Sequence, residues 1–160
     1  MTPAQAEVFS IVRLADPDRY LATLYAPSER RGALFALYAF NAEIAAVRDR
    51  IHEPLPGEIR LQWWRDALND PTAAAGHPVA AELLEAIRAY HLPVETFGNM
   101  IEARIFDLYD DPMPSRTDLE GYCGETAGAL IQLCALVLDA DAAIASAAAA
   151  GHAGCAQAIV

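Results

Sequence analysis

Lysine is absent from the whole chain; all eleven cationic side chains are arginines. That excludes a phosphate-loop lysine and a Schiff-base lysine. Cysteine is scarce, and Cys123, Cys134 and Cys155 lie too far apart for any C-x-x-C metal or redox motif. Their odd number points to reduced thiols in a cytoplasm-like compartment rather than to a disulfide framework. A basic leader is missing from "MTPAQAEVFS", so no signal or transit peptide is expected. Long apolar runs are missing too: the longest, Ala127 to Leu138, contains Gln132 and falls short of the roughly 20 residues that span a bilayer. Strand-like alternation, internal repeats, a glycine-rich phosphate loop, a zinc pattern and a Ser-His-Asp set are likewise absent.

What remains is an alanine-rich, acidic chain of 160 residues with a net charge of −11. The length suits one domain with a real core, and the composition favours an all-helical one. The negative charge disfavours free-standing binding to nucleic acid or to an anionic membrane face. Helix starts carry a repeated device, a proline in the first turn, often behind a capping residue. Thr2-Pro3 with Gln5 forms a capping box into a helix over 3–14, and Asp16-Pro17 opens a short one ending near Tyr25. Further helices are expected over 28–51, 57–69, 78–90, 93–109, 117–138 and 141–150. The ending "GHAGCAQAIV" reads as the first turns of another helix with no cap, so the single domain is expected to continue beyond residue 160.

Four stretches could carry chemistry. On the long helix Asn41, Ala45 and Asp49 form an i, i+4, i+8 stripe flanked by Tyr38 and His52. One aspartate and one asparagine make a thin magnesium site, and Glu43, Arg48, Asp49 and Arg50 also suit a solvated face. In "IEARIFDLYDD", Asp107 follows Arg104 by three residues, the spacing of an ordinary ion pair. In "YCGETAGAL", Gly124 and Gly128 each cost about 1 kcal/mol against alanine in a helix, so either close packing or space for a ligand is implied. The pair Trp63-Trp64 fits core and rim packing, and the four histidines fit structural or exposed positions.

In this order, "DRYLATLYAP", "ERRGALFALYAFNAE", the tryptophan helix, "IEARIFDLYDD" and "YCGETAGAL" resemble the squalene/phytoene synthase family, from about residue 8 to residue 160. The resemblance implies the all-α isoprenoid synthase fold. Active members condense two prenyl diphosphates head to head with magnesium held by two aspartate-rich helices. Their first pattern, D-D-x-x-D, falls here on Ala45, Ala46 and Asp49, and the second would lie past residue 160. Methyl groups ligate no metal, so the electrophilic activation of the leaving diphosphate is lost. A family glycine also corresponds to Ile131, which would narrow a prenyl tunnel. "AFNAEIAAVRD" with "LQWWRD" is most similar to a divergent branch that includes a mitochondrial assembly factor for respiratory complex I and bacterial relatives.

The resemblance therefore implies a degenerate, non-catalytic binding or assembly protein. It would need no cofactor, and an apolar lipid or a respiratory-complex subunit would be its partner. Its expected setting is the bacterial cytoplasm, peripheral to the inner membrane, with no transmembrane segment. The rival is an active prenyl-diphosphate transferase. There Asp49, Asp107 and Tyr122 would be catalytic, with Asp49 holding magnesium. Arg30, Arg31, Tyr38, Asn41 and Gly128 would then contact substrate.

Overall fold

The computed structural model describes residues 1–51, 53–70 and 72–159; His52, one flank of the Asp49 stripe, lies outside them. Among the described residues every regular element is helical. In chain order they are α1 (Pro3–Ala15), α2 (Pro17–Thr23), α3 (Ser28–Ala45), α4 (Val47–Arg50), α5 (Pro54–Asn69), α6 (Pro78–Tyr90) and α7 (Val94–Ile105). A 3-10 turn (Phe106–Leu108), α8 (Arg116–Cys123), a π turn (Gly124–Gly128), α9 (Ala129–Leu138) and α10 (Ala140–Ile159) complete the chain.

The helix starts are local in origin. Thr2 Oγ1 accepts from the Gln5 amide at 3.1 Å while Gln5 Oε1 accepts from the Thr2 amide at 3.0 Å, a reciprocal cap. Asp16, Ser115 and Asp139 cap α2, α8 and α10 in the same way, each carrying its oxygen to an amide three residues on.

Helix α3 sits at the centre, against α1, α6 and α9. It is apolar on nearly every side, with Leu34, Phe35, Leu37 and Phe40 all buried, as a helix enclosed by others must be. The Phe40 ring meets Trp64 edge-on at 5.2 Å and Phe97 at 5.6 Å, which ties α3 to α5 and α7. Trp64 is core and Trp63 half-buried rim, as the sequence suggests.

Several expectations need correction. The 28–51 helix breaks at Ala46, where ψ of −7° flattens the turn; the rotated segment buries Val47 and points Arg48 at Asp110. Glu43 is not on a solvated face. Its side chain is 12% exposed and lies 3.5 Å from Arg50 and 3.8 Å from Arg60. The α5 helix starts at Pro54 rather than Gly57. "GHAGCAQAIV" does not open a new helix, because α10 runs unbroken from Ala140.

The run Arg116–Leu138 is long and apolar enough to cross a membrane by length and composition alone. Here it serves as a core helix, with Leu130, Leu133, Cys134 and Val137 buried.

His77 caps α6, its Nδ1 accepting from the Ala80 amide at 3.4 Å, and its ring lies tilted against Trp63 at 4.8 Å. Burial, helped by Arg60, holds its pKa below the ordinary value, with Glu43 and Glu7 opposing. Protonation would also abolish the cap. In the folded state the neutral form is favoured, so the unfolded chain binds the proton first as pH falls. Stability should therefore be complete above about pH 6.5 and decline below it. Urea melts between pH 5 and 8 should show this slope in the native chain, and a flatter one in His77→Asn, which keeps a cap without titrating there.

Candidate functional site

The 3-10 turn after α7 faces α8 and the α3–α4 break, and this junction gathers Asn41, Asp49, Asp107 and Tyr122, half of the candidate site residues. Tyr122 donates its hydroxyl to Asp107, at 2.8 and 2.9 Å from the two carboxylate oxygens, and accepts from Arg104 Nη1 at 2.7 Å. Arg104 Nη1 reaches Asp107 Oδ2 at 3.1 Å, so the three side chains form a closed triangle. Burial and the bond to Asp107 push the Tyr122 pKa up to about 12, against the lowering effect of Arg104; the hydroxyl keeps its proton at neutral pH.

On one side of the triangle lies a cleft of about 390 Å³ lined by Ala45, Arg48, Asp49, Asp107, Asp110 and Asp111. Asp110 adopts φ of +55°, which swings its carboxylate out of the 3-10 turn into an ion pair with Arg48. On the other side is a polar cavity of about 280 Å³, lined among others by Arg19, Asn41, Arg104, Thr126 and Gln157. The stripe Asn41, Ala45, Asp49 is therefore divided: Asn41 faces the cavity, and the other two face the cleft.

The donor set is a poor match for magnesium. Ala45 and Ala46 offer methyl groups, and Arg48, a cation already paired with Asp110, occupies the cleft. Among the described residues no three His, Cys, Asp or Glu side chains are grouped to hold a metal ion. No step through a metal follows from this geometry.

Nor is the polar cavity primed for a diphosphate. Both of its arginines already face carboxylates: Arg104 meets Asp107, and Arg19 Nη1 meets Asp16 at 2.5 Å. Arg19 also donates to Gln157 of α10 at 3.0 Å. Arg19, Thr126 and Gln157 were missed in the sequence, since nothing local marks residues so distant in the chain as neighbours.

Four other expected contacts lie away from both cavities. Arg30 stacks over Tyr90 at 5.2 Å, and Arg31 Nε donates to Ala26 O at 2.8 Å, closing the turn before α3. Tyr38 is half-buried beside Cys134 and under Arg19; burial raises its pKa, and that of Cys134 is pushed up to about 11. Gly128 faces α10 rather than a ligand space: a methyl group there would sit 3.3 Å from Gly151 O and 3.4 Å from Cys123 O. Of the two readings of this glycine, close helix packing is what the structure has. Gly124 differs, since a methyl group there would meet nothing within 4 Å.

The squalene/phytoene synthase family pattern matches residues 12–160. The chain belongs to the squalene/phytoene synthase family. Its all-helical architecture agrees with the isoprenoid synthase-type fold. It is 35% identical over 152 residues to NADH dehydrogenase (ubiquinone) complex I, assembly factor 6 of Mus musculus, covering 94% of this chain and 45% of that protein. The Homo sapiens factor of the same name is 33% identical over 130 residues, 80% of this chain and 39% of the relative. Phytoene synthase of Mycobacterium tuberculosis is 29% identical over 125 residues, 78% of this chain and 41% of the enzyme. The chain thus spans less than half the length of these relatives.

Proposed function

We propose that this family member is a binding domain whose synthase site has decayed, and that it serves in assembling respiratory complex I. Its setting would be the bacterial cytoplasm, peripheral to the inner membrane. One observation carries the reading. Where magnesium would have to bind, the cleft offers Ala45, a single first-motif aspartate (Asp49), and Arg48 neutralising Asp110 from within. The 35% identity to a complex I assembly factor supports the same direction. Deleting the gene in its host should reduce assembled complex I on native gels and NADH:quinone activity, leaving other respiratory complexes unchanged. Normal complex I in the deletion strain would refute the assembly role.

The transferase reading keeps one supporting observation: Asp49, Asp107 and Tyr122 do converge on one junction. Calorimetry with magnesium and a non-hydrolysable prenyl diphosphate is expected to show no saturable binding, because Asp110 and Asp107 of the cleft are already paired with Arg48 and Arg104, and among the described residues no three carboxylates are grouped to hold a metal ion. A stoichiometric micromolar site, lost in Asp49→Ala, would revive the enzyme.

A further inference from the structure

A groove of about 570 Å³ runs between α7 and α8, on the far side of Tyr122 from the polar cavity. Its floor is apolar, made by Ala103 of α7 and Phe106 of the 3-10 turn with Met113 and Pro114 of the loop that follows. Its rim carries Glu102, Asp118 and Glu125, and no arginine lines it. Among the described residues, the one cation against its rim carboxylates is Arg65 of α5, which pairs with Glu102 from outside the lining.

The three carboxylates differ in how committed they are. Glu102 pairs with Arg65 and is still 67% exposed, and Asp118 is held by Ser115. Glu125 is exposed and makes no hydrogen bond or ion pair among the described residues. Asp118, Gly121 and Glu125 follow the three-and-four spacing of one helix face, so two carboxylates flank a glycine. A methyl group on Gly121 would meet nothing within 4 Å, leaving bare backbone open to a second helix.

An apolar floor within an acidic rim is complementary to one kind of occupant. We propose that this groove docks an amphipathic helical segment of a protein partner, with apolar side chains on the floor and arginine or lysine against Glu102, Asp118 and Glu125. The net charge of −11 would steer such a cationic segment from a distance and repel an anionic membrane surface. The proposal rests on the assembly reading and names the chemistry by which a client would be held.

The test uses the 160-residue chain and two fluorescent amphipathic peptides of about 15 residues. They share one apolar face; one has arginine flanks and the other glutamate flanks. Anisotropy should show saturable binding of the arginine peptide alone, weakening as salt is added. Glu125→Arg should weaken it by about tenfold, and Gly121→Leu, which fills open space, should do so without lowering the thermal midpoint. Equal binding of both peptides, or unchanged affinity in both variants, would overturn the proposal. So would a dimer of the chain alone in sedimentation that Glu125→Arg dissolves, because the groove would then belong to a second copy. Prenyl transfer is measured separately: product formation would sink the assembly reading without touching the peptide result.

Discussion

Gly154→Ala is expected to destabilise the chain by about 3 kcal/mol, despite the gain of up to about 1 kcal/mol that alanine brings to an exposed helix. Gly154 is buried in α10 where that helix crosses the π turn. A methyl group there would lie 2.5 Å from Gly128 N, 2.6 Å from Ala127 O and closer still to Gly128 Cα. All three are backbone atoms in helical segments, so no side chain can swing aside and the two helices must part. Separation would strip contacts from α9 and would pull Gln132 Nε2 from Ala147 O, now 3.0 Å apart. Two companions calibrate the effect. Gly128→Ala meets its nearest atom at 3.3 Å and should cost about 1 kcal/mol. Gly124→Ala enters open space and should be neutral or slightly stabilising. Urea denaturation of the three variants gives the order directly. A Gly154→Ala chain as stable as Gly124→Ala would mean that α10 does not pack on the π turn.

Asp107→Ala should cost about 2–3 kcal/mol. Arg104 and Asp107 are only 18% and 22% exposed at the side chain, so solvent screens their pairing incompletely. Removing the carboxylate deprives the guanidinium of its counter-charge and the Tyr122 hydroxyl of both acceptors. Arg104 Nε is already buried with no partner among the described residues, so this arginine has little reserve of alternative bonds. Tyr122→Phe leaves the Arg104–Asp107 pair intact and should cost about 1.5 kcal/mol, the low end for a hydrogen bond to a charged group. The ratio of the two losses reports whether the triangle is held by charge or by the phenol. Should Asp107→Ala unfold at the same urea concentration as the native chain, the triangle contributes nothing, and its side chains would be free for a role in chemistry.

The residues at 45 and 46 illustrate what could be read without a structure. A methyl group cannot ligate a cation in any fold, so once the family resemblance places two motif positions on Ala45 and Ala46, their inability to hold a metal was legible from the letters alone. What surrounds Asp49 was not. Arg48 neutralises Asp110 across 62 positions of chain, and that pairing depends on the flattened turn at Ala46 and the left-handed backbone of Asp110. Glu43 shows the same limit. Its helical spacing with charged neighbours suggested solvent, yet Arg60 of α5 and Arg50 converge on it and pull it inside.

Half of the α-helix starts belong to the sequence by itself, because a capping side chain bonds an amide three residues away and needs no other part of the molecule. Thr2, Asp16, Ser115 and Asp139 act over that distance, and α6 occupies the predicted 78–90. The sequence also determined the family, since the order and spacing of motifs survive where individual residues change. Only the tertiary structure decided why Gly128 is glycine. Cavity wall and helix crossing predict the same letter, and the choice rests on Gly151 and Gly154 arriving from a helix that begins twelve residues later. The π turn is of the same kind. It takes one extra residue into a turn, with the Ala129 amide bonded back to Gly124 O and Thr126 Oγ1 donating to Tyr122 O, to bring small residues under α10. Local propensity contains no term for that neighbour, so the packing had to be seen.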